Sequence, residues 1–197
     1  TEMSIKNILD RHPAPDDEMD LWRLDLMINN TGVAVDKKLI EGALYCSQAI
    51  TESLMEEAKE ITGLSNPKSV QQLTKWLEEE TGEEVDNLRK ETVSGMIKDL
   101  NNDTAVRMLE IRQELSKTSV KKYDAMKNAL CDDGRIRGLL QFYGGNRTGR
   151  WAGRLVQVQN LPRNHMDMIE LARDLVKAKD LDSLKMIFGN VPDTLSQ

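Results

Sequence analysis

Six arginines fall between Gly134 and His165, in the run GRIRGLLQFYGGNRTGRWAGRLVQVQNLPRNH. They are Arg135, Arg137, Arg147, Arg150, Arg154 and Arg163, with no lysine and no acidic residue among them. A guanidinium is a planar fork of donors that matches phosphate oxygens and paired acceptors, so arginine without lysine points to directed hydrogen bonds more than to solubility. Asn146, Gln157, Gln159 and Asn160 add short polar arms beside them. The rest of the chain is strongly acidic. Of 27 basic and 33 acidic residues, the island takes six basic ones and leaves 21 against 33. A net charge of −6 argues against a surface that attracts nucleic acid everywhere, and permits one local site. Arg150, Gln157, Gln159 and Asn160 read as long donors on or near one extended segment. Such donors suit a minor groove, where every base pair offers acceptors and pairing can be checked without reading sequence. Arg147, Thr148 and Arg154 flank Arg150. Lys117 and Lys121, four residues apart, are candidates for phosphate contacts, which position a duplex without specifying it. The competing reading is plain: arginines that bind acidic patches of the same protein, and lysines on a solvated helix face.

Other chemistries find little support. The two histidines, His12 and His165, have no cysteine or histidine partner at ligand spacing, so no zinc site is expected. No nucleophile–base–acid set can be assembled. Asp132 and Asp133 precede Gly134 and read as a solvated turn before they read as catalytic carboxylates. Residues 144–149 (GGNRTG) imitate the glycine spacing of a phosphate loop. Arg150 and Trp151 follow where that loop needs lysine and a hydroxyl, so the glycines are expected to serve a tight backbone turn instead.

The elements that must position these residues are mostly helical. Aromatics make up 4% of the chain while Leu, Met, Glu and Lys abound, a composition that favours helix. No apolar run approaches the ~20 residues of a membrane span. The opening TEMSIKNILD is polar and unlike a signal peptide. Cys46 and Cys131 are read as reduced thiols of a cytoplasmic protein. Residues 1–11 look like the end of a helix begun earlier, stopped by His12-Pro13-Ala14-Pro15. Asp16 or Asp17 is expected to cap a helix to about Asn30, burying Met19, Trp22 and Leu26. Leu39, Ala43, Cys46, Ile50, Leu54, Ala58 and Ile61 form one continuous stripe and predict a helix over 37–62, closed by Gly63. Asn66-Pro67 is expected to start a helix to Thr81 that buries Val70, Leu73, Trp76 and Leu77. A short helix is predicted near 91–100. A second rod is expected over 104–130, with Lys117 and Lys121 on one face, as antiparallel mate of 37–62. Residues 136–143 and 155–158 read as two strands of a small β element. Helices near 165–178 and 180–188 close the chain.

At Thr148-Gly149-Arg150 a resemblance appears. TGRWAGRLVQVQNLPR (148–163) resembles the TGR…NLQNIP motif of family A DNA polymerases, the bacterial polymerase I type. The spacing from TGR to Pro162 agrees without a gap. The family's arginine falls on Arg150 and its Gln-Asn pair on Gln159 and Asn160. Gln157 stands where the family has Asn, and Ala152 and Gly153 stand where cellular members have serines. LDLMINNTGVAVDKKLI (24–40) looks like the family's segment leading into the thumb, and SNPKSVQQL (65–73) is similar to its short thumb helix. IRQELSKTSVKKY (111–123) resembles the thumb helix with DNA-backbone lysines. The helices at 165–188 depart from cellular members and look like a bacteriophage or prophage branch.

The resemblance implies a mainly α fold: a long antiparallel helical thumb with a small β element at the start of a truncated palm. On this reading residues 1–15 end a preceding domain, 16–131 form the thumb, and 132–197 begin the palm with two inserted helices. The implied function is DNA-directed DNA polymerisation, in which this piece binds primer–template DNA through Arg147, Thr148, Arg150, Arg154, Gln157, Gln159 and Asn160, with Lys117 and Lys121 on the backbone. The metal-binding carboxylates, the magnesium they imply and the deoxynucleotide site belong to later parts of such an enzyme, so no catalytic residue or cofactor is assigned within 1–197. Two rivals stay open: a non-catalytic helical DNA-binding or adaptor protein, and a helical interaction module with the island as a docking face.

Overall fold

The structure, a computed structural model, describes residues 2–117, 120–161 and 166–196; the side chain of Gln159 lies outside the description. The chain forms two compact units, one of residues Thr1–Lys37 and Asp124–Pro162, the other of Lys38–Tyr123 and Arg163–Gln197. The fold is mainly α with two small antiparallel strand pairs, as the composition and the resemblance imply.

The second unit is helical. It is built on α3 (Lys37–Thr62), whose first residue falls just before the unit boundary. Ala43, Cys46, Ile50, Leu54 and Ala58 of the expected stripe are buried, and Leu39 and Ile61 pack at its ends. Beside it lie α4 (Val70–Thr81), α5 (Lys90–Asp99) and α6 (Asp103–Leu115). Leu73, Leu77, Met108, Leu109 and Ile111 are fully buried, and each such side chain contributes roughly 1.5–3 kcal/mol through removal from water. α6 runs antiparallel to α3: Arg107 in its first half pairs with Glu57, while Glu114 and Leu115 at its end share a cavity with Ile50 and Leu54. α8 (Ile169–Ala178), α9 (Leu181–Phe188) and α10 (Val191–Ser196) complete the core with Val176, Leu184, Val191 and Leu195.

Three expectations in this unit are corrected. The helix after Gly63 starts at Ser69, whose hydroxyl accepts from the Gln72 N–H, and not at Asn66-Pro67. Asn66 and Pro67 form the turn before it, with Pro67 fully buried. The rod expected over 104–130 is two helices, α6 and α7 (Lys121–Ala129). Ser116 ends α6 by turning its hydroxyl back onto the Gln113 carbonyl. The break coincides with the five-residue step from Leu115 to Val120, which no single helical stripe can absorb. Lys117 and Lys121 therefore lie in different elements, not four apart on one helix face. A third terminal helix, α10, follows the two expected ones.

The first unit holds α1 (Glu2–Leu9), α2 (Asp16–Thr31), β1 (Val33–Ala34), β2 (Arg135–Ile136), β3 (Leu140–Gly145) and β4 (Arg150–Gly153). β1 pairs antiparallel with β2, Val33 opposite Ile136. Ile136, Leu139 and Val156 form its small core, covered by Val35, by Ala125, Met126 and Ala129 of α7 and by Leu130 just after it. Here too the expectation shifts. The partner of β3 is Arg150–Gly153, not 155–158: Leu155 has φ 54° and Val158–Asn160 is a 3-10 turn, neither of which can continue a strand. In α2 the expected buried face is absent. Trp22 and Leu26 are exposed and Asp25 is the one buried residue, because the apolar side chains are scattered round the helix and the Asp25–Asn29 side is the one set against β3. Among the described residues no helix is long and apolar enough to cross a membrane.

Candidate nucleic-acid interface

The arginine island separates into two groups with different tasks. Arg135 donates to the Thr31 and Gly32 carbonyls at 3.3 and 3.0 Å. Arg137 donates through Nε to the Asn30 carbonyl at 2.8 Å and through both terminal nitrogens to Asp133, at 2.9 and 2.6 Å. These two guanidinia satisfy carbonyls at the C-terminus of α2, where the helix leaves acceptors without partners and its dipole favours a cation. Through its hydrogen bond to Arg137, Asp133 is held down to about 2 from an ordinary 3.8. Asp133 is therefore the carboxylate of a structural pair.

Arg147, Arg150 and Arg154 belong to the β3–β4 hairpin. Its turn closes with Thr148 and Gly149 N–H both donating to the Gly145 carbonyl, at 2.8 and 2.9 Å. Gly149 sits at φ 63°, a conformation that disfavours other residues. The strands pair Leu140 with Gly153, Gln141 with Ala152 and Gly145 with Arg150, so three residues of β3 lie opposite Trp151 alone. That bulge carries Tyr143 at φ 53°. It also brings Gly144 against Ala152, where a Cβ on residue 144 would lie 2.4 Å from the Ala152 methyl. The glycines of the imitation phosphate loop thus serve backbone geometry.

Side chains alternate along β4. Arg150 and Ala152 share one side with Gln141, and Trp151 turns to the other, where it meets Phe142 edge-on at 6.2 Å. Arg154, just past the strand, donates its backbone N–H to Leu139 at 2.8 Å and its Nε to the Gln141 side chain at 2.9 Å. Arg147 stands exposed in the turn, beside Thr148. Among the described residues, the side chains of Arg147 and Arg150 have no hydrogen-bond or ion-pair partner. Both forks are open, and Ala152, with Gly144 against it, lies on the Arg150 side of the hairpin.

The remaining candidates are dispersed. Gln157 and Asn160 are exposed, and the Asn160 amide donates to the Gln157 side chain at 2.5 Å. They lie at the 3-10 turn, not on an extended strand. The side chain of Gln159, and all of Arg163, fall outside the described residues. In the other unit Lys117 is half-buried in an ion pair with Asp193 at 2.6 Å, and Lys121 is exposed at the start of α7. The next residue, Lys122, donates to the Ser196 carbonyl at 2.9 Å, and burial lowers its pKa. Sequence reasoning passed over Gln141, Asn29 and Asp25. Asn29 falls at the expected end of the helix that closes near Asn30, and nothing local marks its partner 111 residues away. Among the described residues, no group of three or more His, Cys, Asp or Glu is arranged to hold a metal ion.

No family model and no solved structure matches the chain. A protein of Bacillus phage SP02 named DNA polymerase is 48% identical to it over 196 residues, an alignment that covers the whole of this chain and 30% of the phage protein. Along its entire length, then, this chain is similar to a part of a phage protein that carries the name DNA polymerase.

Proposed function

We propose that the chain is the part of a family A DNA polymerase that grips primer–template DNA. The observation that carries this is the β3–β4 hairpin: it sets two arginines with open guanidinium forks beside a third, on a chain 48% identical to a phage DNA polymerase. Arg150, with Gln157, Gln159 and Asn160, reaches minor-groove acceptors at the primer end. Arg147, Thr148 and Arg154 hold the backbone next to it. Lys121 meets phosphate directly, and Lys117 does so once it parts from Asp193. The carboxylates that hold magnesium, and the deoxynucleotide site, lie in other parts of the parent enzyme, which works in the cytoplasm of its host. In that reaction two metal ions clamp the attacking and leaving oxygens; the residues here position the primer.

Fluorescence anisotropy with recessed primer–template and with single-stranded DNA tests the reading. The logarithm of affinity should fall linearly with log salt, by about 0.9 per phosphate neutralised. Arg150→Ala should weaken binding to the paired primer end roughly tenfold, in line with loss of a charge-assisted hydrogen bond, and weaken single-strand binding less. The chain alone should not extend a primer when magnesium and deoxynucleotides are supplied. Salt-independent binding, or equal loss on both DNAs, rejects the grip; extension by the pure chain rejects its assignment as a non-catalytic part.

A further inference from the structure

The hairpin is fastened to α2 by one side chain. The Leu140 N–H donates to Asn29 Oδ1 at 3.0 Å, and Asn29 Nδ2 donates to the Leu140 carbonyl at 3.0 Å. These are the two bonds that a neighbouring strand would make to Leu140, the first residue of β3. The second hydrogen of Nδ2 goes to Asp25 Oδ2, at 3.1 Å and one helical turn away. The Asn29 backbone carbonyl accepts from Gly138 N–H at 3.4 Å. Both hydrogens of the amide are therefore used, and its oxygen faces a donor.

Asp25 decides which way this amide points. A flipped Asn29 would set its oxygen against the Asp25 carboxylate and the Leu140 carbonyl, and its NH2 against the Leu140 N–H. Three attractive contacts would become three repulsive ones. Asp25 is 6% exposed, so this penalty acts where water screens little. Among the described residues its Oδ1 has no hydrogen-bond partner, and the other carboxylate oxygen accepts from Asn29. On its other edge Leu140 pairs with Gly153, and Arg154 N–H returns to Leu139. Asn29 thus holds the first residue of β3, whose cross-strand partner Gly153 directly precedes Arg154, while Arg150 begins the same β4 strand at its far end.

We infer that Asn29, oriented by Asp25, is a positioning residue that sets where the hairpin presents Arg150 and Arg154 to DNA. The inference rests on the proposed DNA grip. Asn29→Asp is the direct test. The new carboxylate keeps an acceptor for Leu140 N–H, loses the donor, and stands beside Asp25. Two carboxylates so placed share a proton, so the pair takes one up above the ordinary carboxylate range. Of the charged groups on neighbouring segments, Arg135 and Arg137 are engaged with the carbonyls of residues 30–32 and with Asp133. β3 carries no acidic or basic residue, and Tyr143 is its one titratable group.

At neutral pH, Asn29→Asp should bind primer–template about tenfold more weakly than the parent chain, the worth of one buried hydrogen-bonding group. As pH falls the gap to the parent chain should close, because the protonated acid donates again. Asp25→Asn is the milder probe: it removes the orienting charge and should give Leu140 a second amide resonance from the flipped Asn29. Parent-like affinity of Asn29→Asp at every pH, while Arg150→Ala is impaired, overturns the positioning role and leaves the grip intact. A single unshifted Leu140 resonance in Asp25→Asn overturns the orienting role. If neither Asn29→Asp nor Arg150→Ala affects DNA binding, the grip itself fails and this inference with it.

Discussion

Arg137 and Arg150 are thirteen residues apart in one basic island, yet one is fully engaged and the other open. Composition could place them in the same island but could not sort them. The partners of Arg137 include a helix end more than a hundred residues upstream, and only folding brings those carbonyls within reach. Asp133 reports on this directly. Its carboxyl is held below the ordinary 3.8, to about 2, chiefly by Arg137. A depressed carboxyl adds stability that is present in full above the unfolded value and is lost as pH falls from there toward about 2. An NMR titration should therefore find Asp133 still ionised at pH 3, and Arg137→Gln should return its midpoint toward 3.8. A midpoint indifferent to Arg137→Gln would reject the cap. Asn29 escaped sequence reasoning for the same reason as Arg137, since its side chain completes a strand edge distant in sequence.

Among the elements, α3 was the most legible, because seven apolar residues at helical spacing leave little choice of face. What the stripe could not reveal was Gly42 beside it. A Cβ there would lie 2.0 Å from the Val176 carbonyl and 3.3 Å from Lys177 Cα, both backbone atoms of α8. Glycine within a helix ordinarily costs about 0.5–1 kcal/mol relative to alanine. Here the close approach reverses the sign, because a backbone cannot move aside as a side chain end can. Gly42→Ala should destabilise the helical unit by about 1–3 kcal/mol, the usual cost of overpacking, measured by urea denaturation followed by circular dichroism. A raised midpoint would refute the contact. The second rod was misread because apolar residues recur on both sides of residues 115–121, although Ser116, Thr118, Ser119 and Val120 are weaker helix formers. The five-residue step from Leu115 to Val120 was the signal, and the weak helix formers within it agree. The hairpin's second strand was misplaced by the apolar letters of Leu155, Val156 and Val158. Val156 does bury, but from a turn, where one inward side chain needs no strand.

At the scale of the whole molecule, fold class was legible and the division of the chain was not. Helix-forming composition, capped stripes and one Gly-rich arginine segment are properties of local sequence. The two units are not local: each is made of two separate stretches. Neither charge nor composition marks those seams, one of which falls in the first turn of α7. The open arginines and the acidic remainder still agree with each other, since a negative molecule with one positive hairpin repels a polyanion except at that place.

The interleaving of the two units bears on the order in which the chain takes shape. Asn29 must find Leu140 across 111 residues, and closing so long a loop costs about 4 kcal/mol of chain entropy before any contact compensates. Contacts within residues 38–123, such as those of α5 with α6, join near neighbours and carry little of that cost. The helical segment can form while the flanking stretches are still loose, and the hairpin is clasped last. Pulse-labelled hydrogen exchange during refolding should protect the amides of α3 and α6 before those of Ile136 and Leu140. Protection in the reverse order would mean that the strand pairs, not the long helix, start the fold. A protein assembled in this order has its helices in place well before its arginine hairpin takes its final form.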